Sequence, residues 1–193
     1  MTITWYGQSC FKVETREAIL AIDPFSKDIG LTPPRFHADL ALVSHQHHDH
    51  NNVSAITLRS AKESSENSDP KELAVIAGPG EYEIGGIKIR GYRNGMHSTY
   101  SLTVDGIDIL IGTIEALEKT QQKLKEHHIL VAATNVVIDS SFVTSLASNV
   151  VLFYGEKGSE AVKGFASEAV KTLGKYQVTK DKLPQEMETV LLA

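Results

Sequence analysis

The sequence predicts a mixed α/β (α+β) fold in one domain over residues 1–193, a four-layer αββα sandwich with two sheets face to face and helices outside. Three observations predict it. Short strand-like runs fill the chain as far as Gly112, helix formers and further strands alternate after it, and no internal repeat of fixed period occurs. A meander-like β protein would not end that way, and a pure parallel α/β protein would not begin that way.

The elements follow in order. Ile3 and Trp5 alternate with polar neighbours, Phe11 to Val13 follow, and Ala18 to Ile22 form an apolar run that stops at Asp23-Pro24. A second run, Asp39 to Val43, ends in Ser44 and a cluster of histidines. Arg59 to Glu72 are rich in Ser, Glu, Lys and Asn, which predicts an exposed loop. Strands resume at Leu73 to Ala77 and, past the Gly78-Pro79-Gly80 turn signal, at Tyr82 to Arg90, where Gly85-Gly86 predicts a bend or bulge. Tyr100 to Val104 and Ile107 to Ile111 flank Asp105-Gly106, a strong hairpin signal because both turn positions favour positive φ.

Beyond Gly112 the texture is helical. Ile114 to His127 are rich in Glu, Lys, Gln, Leu and Ala, which predicts a helix closed by His127 and His128 at its negative end. Ile129 to Ala133 and Asn149 to Tyr154 read as buried strands. Val162, Phe165, Ala166, Ala169, Val170 and Leu173 share one helical face, with Ser159 as N-cap and Gly174 as the stop. Thr189 to Leu192 read as a short edge strand.

Composition narrows the function classes. The 193 residues are 41% hydrophobic and 22% charged, so a packed core is expected. The net charge is −5, and Lys and Arg are scattered among the acids, which argues against a nucleic-acid partner. Cys10 is the only cysteine, so no internal disulfide forms and a reducing, cytoplasmic setting is expected. The N-terminus does not read as a signal peptide, and no apolar run approaches the ~18 residues of a membrane span.

The chemistry is concentrated in Ser44-His45-Gln46-His47-His48-Asp49-His50, which packs four of the eight histidines into six residues at a strand end. In extended geometry His45 and His47 project to one side and can share an ion, while His48 points away. As the chain turns, Asp49 and His50 can face the same cavity, and imidazole with carboxylate suits Zn²⁺, Mn²⁺ or Fe²⁺. An exposed His-rich loop is the plainer alternative. The embedded Asp and the buried strand behind the cluster weigh towards a true site.

His45-x-His47-x-Asp49-His50 resembles the signature of the metallo-β-lactamase superfamily. The flanks sharpen the resemblance: Trp5-Tyr6-Gly7-Gln8-Ser9-Cys10-Phe11, Ile22-Asp23-Pro24-Phe25, Val43-Ser44-His45 and Gly78-Pro79-Gly80-Glu81-Tyr82-Glu83 are similar to small bacterial zinc-dependent hydrolases of lactonase-like type. The resemblance covers residues 1 to about 112 well and the rest in outline. It implies an αββα fold, a first ion on His45 and His47, and a second on Asp49 and His50. Glu at position 47 would resemble the oxygen-reducing di-iron branch; His resembles the hydrolases. Asp23 would orient the histidine loop, with a simple turn role before Pro24 as the even alternative. Gly78, Pro79 and Gly80 shape the backbone nearby.

Other expected ligands depart from the pattern. Where the family carries a bridging Asp, this chain reads Gly112-Thr113-Ile114-Glu115, and a Thr hydroxyl coordinates weakly. Glu115 reaches in only if that turn is remodelled. No histidine follows His128, so the late ligand is missing. His97 either completes a first site with His45 and His47 or, by the slight preference of the sequence, is a surface loop residue. His37 has no ligand spacing. The implied function is metal-assisted hydrolysis of a small lactone, ester or phosphoester, with Asp49 orienting the water or accepting its proton. The alternative is a catalytically degenerate relative that binds without turnover.

Overall fold

The computed structural model describes residues 1–59, 72–124, 126–135, 139–165 and 170–193. Most of the expected 59–72 loop, and Ala166 and Ala169 of the expected late helix, lie outside them. In chain order the strands and helices are β1 (Thr2–Gly7), β2 (Cys10–Glu14), β3 (Ile19–Ile22), β4 (Phe36–Ala38), β5 (Leu40–Leu42), β6 (Ile56–Leu58), β7 (Ala74–Ile76), β8 (Gly80–Ile84), β9 (Ile87–Asn94), β10 (His97–Val104), β11 (Ile107–Thr113), α1 (Ile114–Thr120), β12 (Ile129–Ala133), α2 (Ser140–Ser145), β13 (Val150–Tyr154), α3 (Gly158–Lys163), β14 (Lys171–Leu173), β15 (Lys175–Gln177) and β16 (Glu188–Leu192).

They form a mixed α/β architecture with two large sheets. One runs β15-β1-β2-β3-β5-β7 and the other β14-β16-β13-β12-β11-β10-β9-β8. Strand periodicity packs them face to face. Phe11, Val13, Leu20, Ile22, Leu40 and Leu42 meet Ile89, Tyr100, Leu102, Ile109, Val131 and Leu152 in one core. On the outer face of the second sheet Leu110, Leu130, Val151 and Phe153 are covered by Leu117 of α1, Val143 of α2 and Val162 of α3. β12 and β13 are therefore buried on both faces along their whole length, which is why their sequences are continuous apolar runs. Over the first sheet the described covering is the β4–β6 ribbon, seated where Ala21 and Ala41 leave room for Ala38 and Ile56.

The hairpin at Asp105-Gly106 forms as the sequence predicts, with φ of 50° and 74°. Gly85-Gly86, expected as a bend or bulge, instead makes a second two-residue hairpin, both residues at positive φ between β8 and β9. The helical expectations are shortened. α1 stops at Thr120, whose hydroxyl donates back to the Ala116 carbonyl, and a 3₁₀ turn over Gln121–Lys123 follows. His127 and His128 consequently sit in the approach to β12 rather than on a helix end: His127 is buried against Ser148 Oγ (2.9 Å), and His128 Nδ1 accepts from the Asp108 amide (2.9 Å).

The late helix runs only over Gly158–Lys163, with Lys157 rather than Ser159 at its N-cap. Val162 and Phe165 still bury their expected face, but Lys171–Leu173 leave the helical pattern to pair with β16. The tail is not an edge strand. β16 lies between β13 and β14, because Val190 and Leu192 fill the core and its backbone groups are used on both sides.

Candidate metal centre

The histidine cluster follows β5, and the segment before it is strapped down on several sides. The Val43 amide donates to Ile76 O, the Tyr100 hydroxyl donates to Val43 O, and the Ser98 amide donates to Ser44 O, each at 2.8 Å. Asp23, only 4% exposed, accepts from the Ser44 amide and the Ser44 hydroxyl, each at 2.6 Å. Its own amide donates to Leu42 O, and its φ is 45°, a conformation Asp tolerates better than most residues. Between a turn residue and an anchor of the histidine loop, the contacts favour the anchor. Burial pushes the Asp23 carboxyl up to about 6, against the opposing pull of His50 and the two Ser44 bonds.

The loop itself is coiled, not extended as expected for His45 and His47. The His47 amide donates to His45 O, and the His50 and Asn51 amides donate to His47 O. Its far side is tied to residues 24–26 by Ser26 N to His48 O (2.8 Å) and Asn52 N to Pro24 O (2.7 Å). Compact backbone of this kind brings residues of both expected ions together. Ligand atoms of His45, Asp49 and His50 all lie within 4.8 Å of one another.

His47 joins through hydrogen bonding. His47 Nδ1 and His50 Nδ1 both lie 2.6 Å from Asp49 Oδ1. An ionised carboxylate only accepts, so both imidazoles carry hydrogen on Nδ1 and present the Nε2 lone pair outward. Burial raises the Asp49 carboxyl, but the bonds from His50 and His47 outweigh it and hold it at about 2. His45 is lowered by burial first and then by His97 and His50, which keeps it neutral and able to coordinate. The His45 and His47 rings are near parallel (18°) with centroids 5.8 Å apart, and His48 packs tilted against His47 at 3.9 Å, outside the donor group.

The remaining candidates divide. His97, which the sequence slightly favoured as a surface loop residue, is exposed but lies against the site, its ring centroid 4.1 Å from that of His45. The Ser98–Ser44 bond brings it there, and nothing in the local sequence signalled that bond. Thr113 is occupied elsewhere: its Oγ1 accepts from the Ala116 amide (3.2 Å) as the N-cap of α1. Glu115 lies in the first turn of α1, outside the donor group, and His37 is exposed on β4. Tyr100, which positions the loop, carried no sequence signal as a site residue. Gly91 runs close against the Gly78-Pro79-Gly80 turn, since a Cβ on Gly91 would stand 2.6 Å from Gly78 O. A cavity of about 550 Å³ on the outer face of β8–β11, lined by Arg90, Tyr92 and Asp108 among others, shares no residue with the histidine loop.

Two imidazoles and a carboxylate of this spacing fit a divalent transition metal, although the donors offered by the loop are fewer than a fully furnished two-ion centre requires. Residues 2–96 match the family model described as a beta-lactamase superfamily domain. No curated protein matches the chain. Among solved structures, a candidate Zn-dependent hydrolase of the metallo-β-lactamase superfamily from Thermotoga maritima superposes with a TM-score of 0.70 at 20% identity, over 99% of this chain and 98% of that one. A candidate metal-dependent hydrolase from Parabacteroides distasonis gives 0.58 at 19% identity, over 97% and 91%. CmlA β-hydroxylase gives 0.55 at 12% identity, over 99% of this chain and 52% of its own. The chain has the metallo-β-lactamase fold, and the family match is confined to its residues 2–96. A hydroxylase and candidate hydrolases share this fold, so the reaction has to be argued from the site.

Proposed function

We propose that the chain is a single-domain, metal-dependent hydrolase of a small lactone, ester or phosphoester, using Zn²⁺ and working in the cytoplasm. His45, His47, Asp49 and His50 form its metal centre. The observation that carries this reading is the convergence of His45, Asp49 and His50 donor atoms within 4.8 Å, behind a segment anchored by Asp23. A divalent ion there supplies Lewis acidity and lowers the pKa of a coordinated water.

The chain's own groups do the rest. Asp23 and Tyr100 fix the start of the loop, so the imidazoles need no reorganisation when the ion enters. Both imidazole bonds to Asp49 use Oδ1, which leaves Oδ2 to face the ion and its water. The lactonase-like assignment rests on the sequence resemblance. Cytoplasmic residence is supported by the lone, buried Cys10 thiol. Among the described residues no helix is long and apolar enough to cross a membrane.

Hydrolysis of a panel of chromogenic lactones, esters and phosphoesters by Zn²⁺-loaded protein tests the proposal. Turnover should fall at least about 100-fold in His50→Ala. Undiminished turnover in that variant, or none in the wild type with Zn²⁺, Mn²⁺ or Fe²⁺, rejects it. A non-catalytic binding module is the second reading, favoured by the use of Thr113 as a helix cap. Absence of turnover in protein that still binds metal selects it.

A further inference from the structure

Among the described residues, four imidazoles and the Asp49 carboxylate form the centre, and they come from two places. His45, His47, Asp49 and His50 belong to the turn after β5, and His97 opens β10. Strand register brings other chain ends alongside. Two residues beyond the Tyr100–Ile111 pair, Thr113 of β11 stands beside Ser98. Ala133 of β12 pairs with Thr113, and Tyr154 of β13 pairs with Ala133.

Each of those ends is closed to a metal. Thr113 Oγ1 caps α1. Thr134, fully buried just past β12, donates its hydroxyl to Tyr154 O at 2.8 Å. Gly155, just past β13, has φ +98°, and a Cβ there would stand 2.6 Å from Asn135 Oδ1 and 3.3 Å from Thr134 O. A side chain at that position would have to displace the Asn135 side chain, press on the Thr134 carbonyl and adopt a φ that L residues rarely take, so a ligand there is disfavoured as well as missing.

The donors that remain suffice for one ion. A zinc site takes about three protein ligands plus water, and at Zn–N and Zn–O distances near 2.1 Å two ligands of one ion lie at most about 4.2 Å apart. The 4.8 Å spread of His45, Asp49 and His50 needs only a slight contraction to meet that limit. A second ion would have to draw on His47, which lies outside that donor group with its side chain 47% exposed, and on His97.

We infer that the centre is mononuclear: one divalent ion per chain, held by His45, Asp49 and His50, with His47 as a positioning residue on Asp49 and no ligand from the ends of β11, β12 or β13. This rests on the metal-binding reading above and fixes its stoichiometry and ligand set. One ion leaves the fourth position to water and substrate, so a nucleophile shared between two ions is not available to this chain.

The test is equilibrium dialysis of the metal-free full chain against Zn²⁺ with elemental analysis, alongside an optical titration with Co²⁺. One ion per chain and a single isotherm are expected. His45→Ala and His50→Ala should weaken binding by more than about 100-fold, and His47→Ala by about 10- to 100-fold, the range for a residue that orients a ligand. If an alanine variant is unfolded by circular dichroism, the corresponding glutamine variant carries the measurement. Two ions per chain, or a loss in His47→Ala as complete as in His45→Ala, overturns the inference. No bound ion at all overturns the metal-dependent reading itself.

Discussion

At one end of the sandwich the turn after β5 offers His45, His47, Asp49 and His50, while the neighbouring ends of β11, β12 and β13 offer Thr113, Thr134 and Gly155. The two regions are equally well held, by opposite means. The β5 turn is fixed from outside by Asp23, Tyr100 and Ser98, so its own side chains stay free to meet a ligand. The strand ends are fixed by their own side chains, through a helix cap, a hydroxyl-to-carbonyl bond and a glycine-only contact. A polar group that holds the fold is not at the same time available for coordination, and that division decides which strand ends can be chemical.

Several experiments would break or sharpen this contrast. The largest effect is expected at Asp23. Asp23→Ala leaves two part-buried Ser44 donors unpaired and places alanine at a positive φ, so urea denaturation should show a loss of about 2–4 kcal/mol, together with weakened Zn²⁺ binding. Stability and metal affinity as in wild type would show that the β5 turn does not depend on its anchor.

The same carboxyl should give a pH signature in metal-free protein. Folding raises it from 3.8 to about 6, chiefly by burial. A raised folded-state value contributes stability that is complete below the unfolded value and is lost as pH climbs through the folded one. Unfolding free energy should therefore fall by about 3 kcal/mol between roughly pH 4 and pH 6. Asp23→Asn, which keeps an acceptor and suits the backbone, should flatten that slope. An equal slope in both proteins would assign it to other groups.

On the opposite side Gly155→Ala should cost about 1–3 kcal/mol through strain and the Asn135 contact, with metal affinity retained per folded molecule. Calorimetry and dialysis on the same sample separate the two effects. The smallest change is expected from Thr113→Ala, about 1 kcal/mol from loss of the α1 cap, with the number of ions bound unaltered. A fall in metal content there would return Thr113 to the coordination sphere and erase the contrast between the two regions.

Much of this was legible beforehand where the signal is local. Asp105-Gly106 makes a hairpin because both positions demand positive φ, and the apolar runs at 129–133 and 150–154 are buried on both faces as such runs must be. The spacing of Val162 and Phe165 correctly marks a buried face but not its length. Lys171–Leu173 become a strand only because β16 offers an unpaired row of backbone groups. β16 in turn lies inside its sheet because Val190 and Leu192 fill the core there.

By itself the sequence determined the order of the strands and helices, the location of the histidine cluster and the presence of Thr113 where the resemblance implies an Asp, since periodicity, turn chemistry and residue identity are written in neighbouring residues. The tertiary structure alone decided that Asp23 grips Ser44, that His97 reaches His45, and that members of both expected ion pairs share one space. The first two contacts join residues about 20 to 50 positions apart through strand register and burial, and the third follows from the coiling of the loop that those contacts hold, which no short stretch of chain encodes.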